Sequence, residues 1–209
     1  MKISIYVDDG HPLDWKVLDL LKKYHLQDLA VFYIAPQNSE REVMSVDEIK
    51  RLSEEVEIGG HTLTHPRLTR LSRKEQVFEV KTGKDVLERI IGRSLRSFAC
   101  PRGWFNPQVK EVVKECGFQE MRTMKQGPTS LDGYDSFEIP VSIHFHKKDR
   151  VDLVRSVFEK LIEARSGGYF GITMHSWEIE EMDLWDELDK VFAGISNEKQ
   201  RYEDTLSGN

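Results

Sequence analysis

Short apolar runs rich in β-branched residues alternate along most of the chain with longer segments whose apolar positions recur every three to four residues. The first pattern predicts buried strands and the second predicts amphipathic helices. The predicted strands are 2–7, 29–35, 56–60, 97–100, 118–123, 137–146 and 169–174. The predicted helices are 14–24, 45–54, 72–91, 107–116, 150–165 and 179–192, and the polar chain after Ile195 is expected to be frayed.

This alternation predicts a mainly parallel sheet covered by helices. Seven predicted strands fit either a doubly wound sheet or a barrel of the (β/α) kind. No repeat, low-complexity segment or linker interrupts the pattern, so residues 1–196 are expected to form one domain, followed by a polar C-terminal tail at 197–209. Residues 125–136, rich in Gly, Asp and Ser, are expected to form a surface loop that flanks a site.

Composition removes several classes of protein. Of the 209 residues, 39% are apolar and 32% are charged, which argues against a disordered chain, and no apolar run approaches the ~18 residues of a membrane helix. A net charge of −6 argues against a general nucleic-acid binder. The apolar stretch at the N-terminus is too short for a signal-peptide core. We therefore expect a cytoplasmic protein in which Cys100 and Cys116 are reduced thiols.

Residues with chemical capacity follow four predicted strands at their carboxyl ends. In parallel α/β folds these ends share one face, where active sites are built. We therefore expect the four groups to converge on a single site. They are Asp8 and Asp9, His61 and His65, Pro101–Gly103, and His175.

The pair Asp8 and Asp9 precedes Gly10, whose turn can aim both carboxylates into one pocket. Two carboxylates in contact cannot both stay charged cheaply unless a cation compensates. Taken alone, Asp-Asp-Gly is equally a common turn composition.

His61 and His65 are four residues apart and meet on one face if the segment turns helically. Neutral imidazole is a common metal ligand, and two histidines with one carboxylate form a set that is typical of zinc hydrolases or of iron oxygenases. Taken alone, the two histidines also fit unrelated surface positions. His175 fits a fourth ligand, a general acid or a core histidine, while His144 and His146 share one face of a strand that is half-exposed or lines a pocket.

Together these segments resemble the polysaccharide deacetylase family, carbohydrate esterase family 4, whose domain is also called the NodB-homology domain. The segment Tyr6-Val7-Asp8-Asp9-Gly10 is similar to the family motif Thr-Phe-Asp-Asp-Gly, and residues 61–65 match His-Ser/Thr-x-x-His. The resemblance covers about residues 1 to 195. It implies a distorted (β/α)7 barrel, related to the TIM barrel, and a divalent metal that is usually zinc, with cobalt or nickel as alternatives.

Carried over position by position, the resemblance implies that Asp9, His61 and His65 are metal ligands. It implies that Asp8 is the general base and that His175 is the general acid.

The family's third motif departs in this chain. Arg-Pro-Pro-Tyr-Gly appears as residues 99–103, so Ala99 replaces the arginine that orients the base, and whether Arg102 takes over is open. Trp177 and Glu178 resemble a subgroup with His-x-Trp-Glu, which places support for the acid there. The residues expected to bind substrate are Arg102, Gly103, Trp104 and Trp177.

The resemblance implies a metal-dependent hydrolase that cleaves a C–N amide bond, by N-deacetylation of a cytoplasmic saccharide or a related small amide. Two alternatives are a non-catalytic metal- or carbohydrate-binding protein on the same scaffold and a non-haem iron oxygenase. The acid–base pair Asp8 and His175 favours the hydrolase, because metal binding alone needs neither residue. The sequence leaves the substrate, the physiological metal and the oligomeric state open.

Overall fold

The computed structural model describes residues 2–126, 133–148, 150–163 and 168–207. Eight strands form one sheet in the order β6-β5-β4-β3-β2-β1-β8-β7, and the pairs between them are parallel. The strands are β1 (Lys2–Asp9), β2 (Ala30–Ile34), β3 (Glu57–Gly60), β4 (Ser97–Ala99), β5 (Glu120–Gln126), β6 (Ile139–Val141), β7 (Ile143–Phe145) and β8 (Tyr169–Met174).

The sheet curls into a nearly closed barrel because one stretch of chain joins its two ends. β6 and β7 are two halves of the predicted sixth strand, interrupted at Ser142. β6 pairs with β5, whereas β7 pairs with β8. At the break, the Ser142 N–H donates to the Gly171 carbonyl at 2.7 Å, and the Gly171 N–H donates to Ser142 Oγ at 3.1 Å. The predicted (β/α)7 barrel is confirmed, with its sixth strand shared between two neighbours.

Helices cover the outside of the barrel. They are α1 (Asp14–Lys23), α2 (Val46–Leu52), α3 (Arg73–Ile91), α4 (Pro107–Glu115), α5 (Val151–Glu163), α6 (Ser176–Glu181) and α7 (Trp185–Ser207). Ser45 and Ser72 start α2 and α3 with reciprocal side-chain and backbone hydrogen bonds to Glu48 and Glu75. The Ser-x-x-Glu spacing predicts this capping box. Within the described ranges, no helix combines the length and the apolarity that crossing a bilayer requires.

Two expectations about chain segments are wrong. The predicted helix 179–192 is divided between α6 and α7, and Asp183 between them has a left-handed φ of 52°. The chain is not frayed after Ile195, because α7 is helical as far as Ser207 and carries ion pairs such as Lys199–Glu203 on its surface. The predicted loop 125–136 begins inside β5, and residues 127–132 lie outside the described residues.

Alternation along the strands separates two apolar clusters. The larger lies between the sheet and the helices and includes Ile5, Val7 and Phe32. The smaller comprises Tyr6, Tyr33, Ala99 and Val141. Because side chains on β1 alternate between faces, Asp8 points to the same side as Tyr6, into the barrel. The polar site is therefore built at the carboxyl end of a small, well-filled interior.

Candidate metal and acid–base site

The end of β1 directs two buried carboxylates into one pocket. Asp9 has a φ of 86° and Gly10 a φ of 75°, so the chain turns sharply there. A Cβ on Gly10 would lie 2.7 Å from Cγ2 of Ile34, so only glycine fits this position. The convergence of Asp8 and Asp9 that the sequence predicted is present.

Asp9, His61 and His65 form a buried group whose ligand atoms all lie within 4.8 Å of one another. Oδ1 of Asp9 faces Nε2 of His61 at 3.5 Å and Nε2 of His65 at 3.2 Å. That oxygen is buried, yet it has no hydrogen-bond partner within the described part of the chain. A buried carboxylate oxygen without a partner is costly. Two imidazole nitrogens and one carboxylate oxygen are a donor set that fits a divalent metal such as Zn²⁺.

In each candidate ligand, the side-chain polar atom that does not face the other two ligands contacts a further residue. His61 Nδ1 lies 2.8 Å from the carbonyl of Ala99, and His65 Nδ1 lies 3.0 Å from a carboxylate oxygen of Glu40. Nε1 of Trp177 donates to Oδ2 of Asp9 at 2.8 Å. Such outer contacts orient ligands and fix the tautomer of histidine. The atoms that remain free are the three that face one another.

Protonation states suit cation binding. Burial works to raise the pKa of Asp9, but the neighbouring imidazoles of His61, His175 and His65 hold it far below its usual range. Burial lowers the pKa of His65. Asp9 is therefore ionised and His65 neutral at neutral pH, which are the forms that bind metal.

The loop that carries the two histidines is not a helical turn, so that expectation is wrong. Thr62 and His65 have left-handed φ values of 69° and 66°, and the two imidazole rings still meet with centroids 5.0 Å apart. The histidines converge through two left-handed residues instead of a helical i, i+4 pair.

Helix α3 holds this loop in place. Glu79 accepts hydrogen bonds from the Leu63 N–H at 3.1 Å, the Thr64 N–H at 2.9 Å and Thr64 Oγ1 at 2.8 Å. One turn further along, a Cβ on Gly83 would lie 2.5 Å from the Thr62 carbonyl, so the helix and the loop backbone are in direct contact. Sequence reasoning did not find Glu79.

Asp8 is bound by an arginine that sequence reasoning also missed. Arg122 on β5 is 1% exposed, and its Nη2 lies 2.5 Å from both carboxylate oxygens of Asp8. Burial works to raise the pKa of Asp8, but Arg122 lowers it below its usual value. Arg122 pairs with Ala99 in the β4–β5 ladder, so the small side chain of Ala99 stands beside it. An arginine inside a predicted buried strand is the signal that could have revealed it.

Arg102 does not contact Asp8. Its side chain is exposed, and its Nη2 pairs with Glu40 at 2.5 Å, the carboxylate that also contacts His65. The Gly103 N–H donates to the Cys100 carbonyl at 2.9 Å, whereas the Arg102 N–H makes no hydrogen bond within the described ranges. Arg102 therefore borders the site through the backbone and through Glu40.

His175 lies across the pocket from Asp8. Its Nε2 is 3.9 Å from Oδ2 of Asp8, and its Nδ1 is 3.2 Å from Oε2 of Glu178. Nε2 of His144 approaches the same Glu178 oxygen at 3.2 Å. Burial lowers the pKa of His175, but Glu178 and Asp8 outweigh it and raise that pKa above its usual value.

Glu178 and the strand histidines complete this side. Burial works to raise the pKa of Glu178, but His144 and His175 lower it to about 2. His144 stacks on His146 with centroids 4.4 Å apart, and both are half-buried. The ligand atoms of His144, His175 and Glu178 also lie within 4.8 Å of one another.

Of the residues expected to bind substrate, Trp177 and Trp104 are placed differently. Trp177 packs against the site, with its ring 5.3 Å from that of His175. Trp104 lies on the loop after β4 and is 52% exposed. Both follow strands, β8 and β4, at the edge of the barrel that carries the site.

Comparison with known proteins identifies the family to which the sequence is similar. Residues 1–121 match the sequence profile described as polysaccharide deacetylase. The chain is 32% identical over 114 residues to the peptidoglycan-N-acetylmuramic acid deacetylase of Bacillus subtilis, covering 54% of this chain and 24% of the relative. It is 31% identical over 121 residues to the chitooligosaccharide deacetylase of Azorhizobium caulinodans, covering 56% of each. The chain thus spans about a quarter to just over half the length of these relatives.

Solved structures share the fold. A family 4 carbohydrate esterase from Streptomyces lividans in complex with acetate superposes with a TM-score of 0.61 at 16% identity, over 93% of this chain and 88% of the other. The Xyl-CE4 domain of a multidomain xylanase from the hindgut metagenome of Trinervitermes trinervoides gives a TM-score of 0.63 at 16% identity, over 93% and 82%. The motifs, the barrel and the profile match lead to one conclusion: this chain belongs to the polysaccharide deacetylase family.

Proposed function

We propose that this protein is a metal-dependent N-deacetylase that hydrolyses the acetamido group of a saccharide. The observation that supports the proposal is that the adjacent aspartates Asp8 and Asp9 have different contacts. Oδ1 of Asp9 has no hydrogen-bond partner among the described residues and faces two imidazole nitrogens, whereas Asp8 is held by Arg122 and faces His175. A ligand set beside a separate acid–base pair is what amide hydrolysis requires.

Asp9, His61 and His65 are the residues that would hold the metal. When bound, a divalent metal such as zinc, cobalt or nickel lowers the pKa of water and polarises a carbonyl.

Asp8 accepts the proton of the attacking water in this proposal. Arg122 keeps the carboxylate ionised and fixes its orientation, and Thr173 Oγ1 lies 3.4 Å from Oδ2. The N–H of Arg102, which makes no hydrogen bond to the part of the chain that the structure describes, is the backbone donor proposed for the substrate carbonyl oxygen; that of Gly103 donates to Cys100.

His175 donates a proton from Nε2 to the leaving amine. Glu178 accepts from Nδ1, which places the transferable proton on the nitrogen that faces Asp8. Burial lowers the pKa of His175, but Glu178 and Asp8 outweigh it and raise that pKa above its usual value, which favours the protonated imidazole. An amine is a poor leaving group, so an acid at this position is needed.

The two alternative functions leave part of the site unexplained. A non-catalytic binding protein and an iron oxygenase share the candidate ligands, but neither needs Asp8 paired with Arg122 opposite His175. The names of the relatives favour N-acetylated saccharides as substrates, with small amides as the second class. A cytoplasmic location stays a prediction.

The test is release of acetate or formate from a panel of N-acylated sugars and small amides, with zinc, cobalt or nickel added. We expect acetate release from at least one saccharide, and its loss in Asp8→Asn. Absence of release with every metal would overturn the proposal, and oxygen consumption with iron would favour the oxygenase.

A further inference from the structure

Two arginine–tryptophan stacks lie at the edge of the barrel that carries the site, and they differ in how their polar groups are paired. In the first, the Arg41 guanidinium lies 3.7 Å above the Trp177 ring. Arg41 also pairs with Glu181 at 2.9 Å, and Trp177 Nε1 donates to Asp9. The Arg41 guanidinium and the Trp177 N–H both have protein partners, so we assign this stack a structural role.

The second stack is open. The Arg67 guanidinium lies 3.9 Å above the ring of Trp104, and its Nε donates to Thr69 Oγ1 at 3.3 Å. In the ranges that the structure covers, no carboxylate pairs with Arg67. Trp104 is 52% exposed, so about half of its surface is accessible to a ligand. This cation is held in place by an aromatic ring while its charge is unneutralised.

The open stack belongs to the same edge of the barrel as the ligands. Arg67 follows His65 by two residues, and Trp104 follows Arg102 by two residues. Arg102 contacts Glu40, which contacts His65, so the two loops meet beside the candidate metal ligand. An uncompensated cation at this place stands out in a chain whose net charge is −6.

We infer that Arg67 and Trp104 form a subsite for an acidic substituent of the saccharide, which deepens the function proposed above and depends on it. The exposed part of the Trp104 ring can pack against the apolar face of a pyranose ring. The guanidinium of Arg67 binds a carboxylate or phosphate with paired N–H donors. Because stacking already restricts Arg67, ordering it on binding costs little conformational entropy. The preferred substrate is therefore an anionic N-acetylated saccharide.

The experiment measures binding apart from turnover. Quenching of tryptophan fluorescence gives the dissociation constants of the zinc-loaded chain for three probes that differ in charge. They are N-acetylglucosamine, N-acetylmuramic acid and N-acetylglucosamine 6-phosphate. The variant is Arg67→Gln, and the matched control is Arg70→Gln, an exposed arginine three residues further along the same segment. Acetate release is recorded for each pair.

We expect the wild type to bind at least one anionic probe about tenfold more tightly than the neutral probe. Arg67→Gln should remove this preference and leave the neutral affinity unchanged, while Arg70→Gln behaves as wild type. The stronger of the two anionic probes identifies carboxylate or phosphate as the substituent. Equal binding of all probes, or equal effects of both substitutions, would overturn the subsite. Anionic preference without acetate release from any substrate would instead count against the deacetylase proposal.

Discussion

Nη2 of Arg122 lies 2.5 Å from both carboxylate oxygens of Asp8, and both residues are almost entirely buried inside the barrel. The arginine reaches Asp8 from β5, next to Ala99, and its guanidinium lies 5.5 Å from the ring centroid of Tyr6. The carboxylate therefore owes its charge and its orientation to β5, a strand that does not pair with β1.

Arg122→Met should destabilise the protein strongly. It leaves the Asp8 carboxylate buried without its partner, and breaking a buried ion pair in this way costs about 3–5 kcal/mol. Urea unfolding of the variant gives the loss directly. The control is the double variant Asp8→Asn with Arg122→Met, in which the orphaned charge is absent. We expect the double variant to lose less than the sum of the two single changes, and strict additivity would contradict a coupled pair.

Asp8→Asn and Asp9→Asn should separate turnover from metal binding. Asp8→Asn retains zinc and loses about 10²–10⁴-fold in turnover, because only the proton acceptor is removed. Asp9→Asn loses zinc, because the unpartnered oxygen belongs to that residue. Metal content by elemental analysis after gel filtration distinguishes the two. The reverse pattern would mean that the roles of the aspartates are exchanged.

Glu79→Gln should weaken metal affinity although Glu79 is not a candidate ligand. The carboxylate accepts three hydrogen bonds from Leu63 and Thr64, and an amide cannot accept all of them. We expect zinc affinity to fall about 10–100-fold, as for other groups that support ligands. Competition with a chelator measures it.

The control for that change is Asp85→Asn, which lies on the same helix and breaks only the exposed pair with Lys81. It should leave zinc affinity unchanged. An equal loss in both variants would point to a general effect on α3.

Glu178→Gln should move the alkaline limb of the pH profile of kcat/KM to lower pH. Burial lowers the pKa of His175, and Glu178 is the strongest of the groups that raise it above its usual value. Removing this carboxylate lowers that pKa, so the acid loses its proton at lower pH. Glu180→Gln on the same helix, where Glu180 is exposed and pairs with Lys16, serves as the control. An alkaline limb that stays in place would argue against His175 as the acid.

Most of the barrel was predictable, because short segments with apolar, strand-like positions alternate along the chain with amphipathic helices. The break at Ser142 was not, since the flanking pattern is uninterrupted and the division arises from which neighbour each half meets. The C-terminal extension of α7 was missed because its apolar periodicity fades, while surface ion pairs such as Lys199–Glu203 accompany the helix.

The residues of the candidate site were likewise predictable only in part. Asp8, Asp9, His61, His65 and His175 were predicted to converge because strand ends share one edge of a parallel sheet. Arg122, Glu79 and Glu40 were missed because their roles depend on side-chain contacts between elements far apart in the chain. Arg122 in particular acts through its register opposite Ala99, which exists only once β4 and β5 have paired.

The left-handed backbone at Asp9, Thr62 and His65 lowers the stability of the fold at the same positions that build the candidate site. Each such conformation at a residue other than glycine costs of order 1–3 kcal/mol. Substitution of these residues by glycine or asparagine would relieve the strain and make the protein more stable. The chain instead keeps the two candidate ligands and the threonine in unfavourable backbone conformations, so conformational stability is lower here in exchange for the placement of the functional side chains.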